Sequence, residues 1–131
     1  MKLPSQNALK IMLGLLSIVI IFHILIIVKI IPYSIAWGGR LQSDEQMYTF
    51  ETVSIIIHLF LCFILLMKGR HIKLRFGEKT LNIVLRFFLG LFILNTFGNL
   101  FAQTSFEKLF ALLTLLSAFL IWVILRPRAI S

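Results

Sequence analysis

The sequence predicts an all-α integral membrane protein, an antiparallel up-down-up-down bundle of four transmembrane helices. The 131 residues are 60% hydrophobic and 14% charged, whereas soluble globular proteins are roughly 45–50% apolar and about 25% charged. The apolar residues fall into four runs of about 20 residues, the helix length that crosses a bilayer core of about 30 Å. A chain of this length holds one domain, so 1–131 is interpreted as a single membrane domain.

The first helix is predicted at about 8–31. Pro32 ends it, because proline lacks the backbone N–H that continues the helical hydrogen bonds. The run is too long for the core of a signal peptide, and no small-residue cleavage site follows it. We therefore expect this helix to stay in the protein as an anchor.

The second helix is predicted at about 44–68. Ser43 and Gln46 have the spacing of a capping box, and Asp44 and Glu45 fall in the first turn, where the helix dipole favours negative charge. This start places Glu51 two turns inside the helix.

The third and fourth helices are predicted at about 78–102 and 105–125, joined by a tight turn. Thr104 and Glu107 form a second candidate capping box. The short connections favour antiparallel neighbours in a bundle.

Lys and Arg are divided unevenly between the two ends of these helices. Ten of the 13 lie at one end, and only Lys29, Arg40 and Lys108 lie at the other. Because cytoplasmic loops carry the excess of Lys and Arg, we expect both termini and the basic loop 69–77 in the cytoplasm. The loop 32–43 is then extracytoplasmic, and the location is the cell inner membrane.

The net charge of +8 points to a lipid partner. Its cations lie beside apolar segments and not on a polar domain, which argues against nucleic acid. Anionic headgroups at the cytoplasmic face attract such cations by about 1 kcal/mol each.

Polar side chains inside the predicted spans are costly and are the first candidates for function. They recur at helical spacing in stripes on three helices, and each stripe is polar in the half of the bundle that faces outward and small or apolar further in. The stripes are Glu51, Ser54, His58 and Cys62; Asn95, Asn99 and Gln103; and Glu107, Ala111, Thr114 and Ala118. Turned inward, they predict a polar pocket that opens to the extracytoplasmic side.

The segment Trp37–Gly38–Gly39–Arg40 is expected to cover this pocket. Adjacent glycines allow close backbone approach, and Trp37 and Arg40 would offer a stacking face and a forked cation to an anionic or planar group. The alternative is a tight interfacial turn with an anchoring Trp37.

Glu51 is too deep in its helix to be a cap. As a charge it needs a partner, for which Arg40, Lys29 and Lys108 are the candidates at the same level. Without a partner, its pKa would rise and it would carry a proton. A structural ion pair and a functional acid both stay open.

Asn95 and Asn99 have a structural alternative to ligand binding, since interhelical hydrogen bonds in membranes are worth about 0.6 kcal/mol each. Gly98 and Ala102 beside them are expected to allow close helix packing. The lone Cys62 excludes an intrachain disulfide and is interpreted as a small packing residue.

His23 and His58 lie near mid-membrane on neighbouring predicted helices. Two histidines at compatible depths in a four-helix bundle are the minimum for a bis-histidine haem site. A neutral histidine hydrogen-bonded to a neighbouring helix explains either residue equally well. No metal site and no cofactor are expected.

Three segments resemble a group of small uncharacterised bacterial four-helix inner-membrane proteins, namely 31–40, 47–51 and 95–102. The resemblance covers most of the chain and implies the same fold and membrane, but it brings no activity. Small fluoride channels and multidrug transporters are excluded, because the first helix has neither the motif of the former nor the embedded Glu of the latter.

The sequence contains no motif of a known enzyme class, so we lean against an enzyme. The leading hypothesis is a pocket that binds a small polar ligand, a lipid headgroup or an ion. Its candidate binding residues are Trp37, Arg40, Glu51, His58, Asn95 and Asn99. The alternatives are an accessory subunit of a membrane complex or homo-oligomer, and third a membrane enzyme or haem protein.

Overall fold

A computed structural model of the chain describes residues 4–35, 41–73, 75–101 and 105–126, with the backbone alone at 35, 105 and 106. All the regular structure in these ranges is helical, which confirms the predicted all-α class. The elements are α1 (Ser5–Ile27), a short 3₁₀ turn (Tyr33–Ile35), α2 (Asp44–Lys68), α3 (Glu78–Leu100) and α4 (Ser105–Leu125).

Each of the four helices is long and apolar enough to cross a membrane, with a mean hydropathy of 1.7 to 2.6 in its most apolar window. Large apolar side chains cover the outside of the helices, among them Ile18, Phe87 and Leu94, which are each about two-thirds exposed. Soluble monomers rarely expose contiguous apolar surface on this scale. Length, composition and surface together support a membrane protein.

The start of α2 follows the capping signal in the sequence. The Ser43 hydroxyl accepts the Gln46 backbone N–H at 3.2 Å, and the Gln46 side chain accepts the backbone N–H of Gln42 at 2.9 Å. The reciprocal bond therefore reaches one residue earlier than in a standard capping box. Thr104 of the second candidate box lies outside the described residues.

The end of α1 differs from the prediction. The helix ends at Ile27 and not at residue 31, because Lys29 adopts a left-handed conformation (φ 65°). The N–H groups of Lys29 and Ile30 turn back to the carbonyls of Ile26 and Leu25, which is the Schellman pattern. Glycine usually occupies the left-handed position, so Lys29 gave no stop signal in the sequence.

The end of α2 repeats this pattern with another residue that is not glycine. Arg70 is left-handed (φ 60°), and the N–H groups of Arg70 and His71 bond to the carbonyls of Met67 and Leu66. α3 begins after Gly77 and ends at Leu100, two residues before its predicted end at 102.

Helices adjacent in sequence pack together, and α1 also packs against α4. Polar contacts mark the meeting points. Lys68 at the end of α2 bonds to Glu78 and Asn82 of α3 at 2.5 and 2.6 Å, and the Ser5 hydroxyl donates to the Val123 carbonyl at 3.3 Å.

The buried core has two parts of unequal size. The larger joins all four helices and includes Leu16, Leu65, Leu85 and Ile121. The smaller consists of Ile26, Leu41 and Met47, against which Phe22 packs. A cavity lies next to both clusters, since it is lined by Leu16 of the larger cluster and by Phe22, which packs against the smaller one.

Candidate functional site

The candidate site is a cavity of about 250 Å³ to which all four helices contribute. Its lining contains both apolar and polar side chains, so it can hold a molecule with both kinds of surface. The apolar lining residues are Leu16, Val19, Phe22, Phe92, Phe110 and Leu113. The polar lining residues are His23, Ser54, His58, Asn95, Asn99, Glu107, Thr114 and Ser117.

The structure brings three of the six predicted binding residues to this cavity: His58, Asn95 and Asn99. Glu51 does not line it but contacts His23, which does. Trp37 and Arg40 lie outside the described residues.

Glu51 is fully buried, and its carboxylate accepts a hydrogen bond from Nδ1 of His23. The expected partners were cations, so the prediction missed His23. Of the cations named, Lys29 pairs with Asp44 at 2.5 Å and Lys108 is exposed. The pairing arises because His23 and Glu51 each lie within two turns of the helix ends that flank the same connection.

The Lys29–Asp44 contact joins the two ends of the connection between α1 and α2 and is exposed. Lys29 also lies 6.0 Å from the centre of the Tyr48 ring. The hydrogen bond and the charge of Asp44 raise the pKa of Lys29 above its usual value. Both side chains are about half exposed, so this pair adds little to stability.

His58 donates from Nδ1 to the backbone carbonyl of Ser54 at 2.6 Å. Its ring lies beside that of His23, with centroids 5.3 Å apart and planes tilted by 49°. Both rings therefore use Nδ1 within the protein, and in the neutral form each keeps Nε2 as an acceptor.

This arrangement does not fit a bis-histidine haem, because a porphyrin would have to pass between the rings of His23 and His58. Their separation is that of aromatic rings in direct contact. Among residues 4–35, 41–73, 75–101 and 105–126, no three histidine, cysteine or acidic side chains are grouped to hold a metal ion.

On α3, different residues line the cavity and make the hydrogen bond to α4, although the sequence analysis considered Asn95 and Asn99 for both roles. Asn95 and Asn99 line the cavity, while the interhelical hydrogen bond is made by the neighbouring Thr96, 2.8 Å from Thr114 of α4. Gly98 does not serve close packing within the chain, because a Cβ atom there would meet nothing within 4 Å.

Glu107 brings a carboxyl group to the cavity and is 1% exposed. With the imidazole rings of His23 and His58, it adds hydrogen-bond acceptors to a lining that also contains the amides of Asn95 and Asn99. Such a lining can accept hydrogen bonds from the N–H or O–H groups of a bound molecule.

Comparison with known protein families, characterised proteins and solved structures found no significant match to this chain.

Proposed function

We propose that the chain is a multi-pass protein of the inner membrane whose helices cross up, down, up and down, with both termini in the cytoplasm. Two sets of observations support this. The start of α1 meets the end of α4 through Ser5 and Val123, and the end of α2 meets the start of α3 through Lys68 and Glu78. Lys and Arg are concentrated at this same end, as on cytoplasmic faces. The cavity then lies in the outward half of the bundle.

The function that the geometry supports best is binding of a small amphipathic ligand in this cavity. The observation that carries it is the mixed lining, in which apolar and hydrogen-bonding side chains face the same space. We expect the apolar part of the ligand to contact Phe22, Phe92 and Phe110. Its polar part would donate hydrogen bonds, as an amine or hydroxyl does, to the side chains around His58 and Asn95.

The buried Glu51–His23 pair holds one of these acceptors in place. The Glu51 carboxylate accepts a hydrogen bond from Nδ1 of His23. This bond fixes the orientation of the His23 ring and its tautomer, in which Nε2 is a hydrogen-bond acceptor. The pair thus contributes to binding through position and not through direct contact with the ligand.

The test is ligand retention. Wild-type protein and the variants His58→Leu and Asn95→Leu are purified in mild detergent, and the small molecules released on denaturation are identified by mass spectrometry. Thr52→Leu is the matched control, because Thr52 is an exposed polar residue on α2 that does not line the cavity.

The proposal expects a compound retained by wild type and Thr52→Leu and lost, by about tenfold or more, from both cavity variants. A tenfold loss corresponds to about 1.4 kcal/mol, which is in the range for one lost hydrogen bond. Equal retention by all four folded proteins would contradict it.

A structural role within a larger complex or a homo-oligomer is the second candidate. It is favoured by exposed small and polar positions in the helices, since Cβ atoms added at Gly14, Gly90 and Gly98 would meet open space and Asn95 is itself exposed. Small residues allow close helix contact in membranes. Crosslinking through Gly90→Cys on a Cys62→Ser background tests for a homo-oligomer. Absence of a crosslinked species would reject a homo-oligomer whose subunits meet at Gly90 of α3.

A further inference from the structure

A second cavity, of about 340 Å³, lies at the opposite, basic end of the bundle. It is enclosed by the start of α1, the end of α2, the first turns of α3 and the end of α4. Its lining residues are Ser5, Gln6, Leu9, Lys68, Glu78, Asn82, Arg86, Ile124, Leu125 and Arg126. Three cations and one carboxylate therefore face the same space.

These charges are not equivalent. Lys68 is satisfied within the chain, because it bonds to both Glu78 and Asn82. Within the part of the chain that the structure describes, neither Arg86 nor Arg126 forms an ion pair with a carboxylate. The two guanidinium groups consequently face the cavity with no ion-paired carboxylate of their own among the described residues, since the Glu78 carboxylate is bonded to Lys68.

The donors around this cavity match an oxyanion. A guanidinium donates two parallel hydrogen bonds to a phosphate, which makes arginine the preferred residue for such groups. Asn82 uses its carbonyl oxygen for Lys68, so its amide N–H groups stay available as donors.

The surroundings indicate how a phosphate group would arrive. The Arg126 guanidinium lies 4.9 Å from the centre of the Trp122 ring, and Trp122 in turn contacts Phe119. Both aromatic rings are about half exposed. Tryptophan beside cations is typical of the level at which headgroups meet acyl chains.

We infer that the cavity bounded by Lys68, Asn82, Arg86 and Arg126 is a binding site for a phosphate group. Two sources supply this chemistry, the headgroup of an anionic phospholipid and a soluble phosphate ester. The exposed aromatic row favours the phospholipid. This site is independent of the outward cavity and of any ligand bound there.

The experiment uses the full chain, purified and delipidated in uncharged detergent. Native mass spectrometry measures the dissociation constants of short-chain phosphatidylglycerol and phosphatidylcholine, and glycerol phosphate is added as a soluble competitor. The test variant is Arg86→Gln with Arg126→Gln. The matched control is Lys73→Gln with Lys79→Gln, which removes the same charge from exposed positions that do not line the cavity.

We expect phosphatidylglycerol to bind at least tenfold more tightly than phosphatidylcholine, and the double arginine variant to weaken it by about 100-fold, as for two lost charge-assisted hydrogen bonds. The lysine control should change the constant by less than about threefold, since exposed charges are screened. The variant Arg86→Lys with Arg126→Lys keeps both positive charges but loses the paired N–H donors of the guanidinium groups. Its affinity for phosphatidylglycerol should lie between those of wild type and the double glutamine variant.

The competitor identifies the source. If millimolar glycerol phosphate leaves phosphatidylglycerol bound, the site belongs to the lipid, and if it displaces the lipid, the site takes soluble phosphate esters as well. Helix content and melting temperature are compared to show that each variant is folded. Equal phosphatidylglycerol binding by wild type and the folded arginine variant, or equal losses in arginine and lysine variants, would overturn the inference.

Discussion

The two ends of the bundle each contain a cavity with charged side chains, but they treat the charge differently. Near the cavity lined by His58 and Asn95, the most buried carboxylate, that of Glu51, is bonded to His23 of the neighbouring helix. At the basic end, Lys68 is bonded to Glu78 and Asn82 of α3, while Arg86 and Arg126 face the second cavity. A polar residue in an apolar helix of this kind is therefore evidence of a ligand only after its contacts within the chain are known.

The largest effect is expected where a buried carboxyl group loses a hydrogen bond. Replacing His23 by Leu should lower the free energy of unfolding by about 2 kcal/mol, because it removes the hydrogen bond between His23 and the buried Glu51 side chain. The measurement is denaturant titration in micelles. Replacing both His23 and Glu51 by Leu should recover most of the loss.

The matched change at the other end is Arg86→Leu, which removes an exposed guanidinium. We expect it to change stability by about 0.5 kcal/mol or less, as for ordinary surface substitutions. If His23→Leu and Arg86→Leu were equally mild, the contrast between the two ends would be wrong.

An intermediate effect is expected at the interface of α3 and α4. Thr96→Val removes the hydrogen bond to Thr114 and should show a coupling of about 0.6 kcal/mol in a double-mutant cycle with Thr114→Val. The exposed Asn95, replaced by Leu, should show no coupling to Thr114. A larger coupling for Asn95 would return the role of interhelical contact to the asparagine.

A further small effect separates backbone strain from charge. Arg70→Gly should stabilise the protein by about 0.5 kcal/mol, since the relief of a left-handed conformation that is unfavourable for residues with a Cβ atom is partly offset by the conformational entropy that glycine loses on folding. Arg70→Ala removes the same charge without this benefit. Equal melting temperatures for the Gly and Ala variants would show that Arg70 is not strained.

Much of the fold could be predicted from hydropathy and capping chemistry. The bounds 44–68 and 105–125 coincide with α2 and α4, because strongly polar or turn-forming residues flank these apolar runs. The end of α1 could not be predicted, since Lys29 adopts a conformation for which its side chain gives no signal.

The level of the candidate site along the helices could be predicted from the sequence, but the contact between Glu51 and His23 could not. His58, Asn95 and Asn99 line one cavity because polar residues at helical spacing share a face. The Glu51–His23 contact depends on the rotation of α1, which carries no polar stripe to set it. The signal that could have indicated this contact is that His23 and Glu51 lie at similar distances from the connection between α1 and α2.

Labelling on intact cells tests most directly the claim that the two ends lie on opposite sides of a membrane. On a Cys62→Ser background, Gln42→Cys and Lys73→Cys place a single thiol in the two connections. With a membrane-impermeant maleimide, we expect Gln42→Cys to react on intact cells and Lys73→Cys to react only after permeabilisation. Equal labelling of both, or labelling of Lys73→Cys alone, would contradict the orientation and with it the outward-facing cavity.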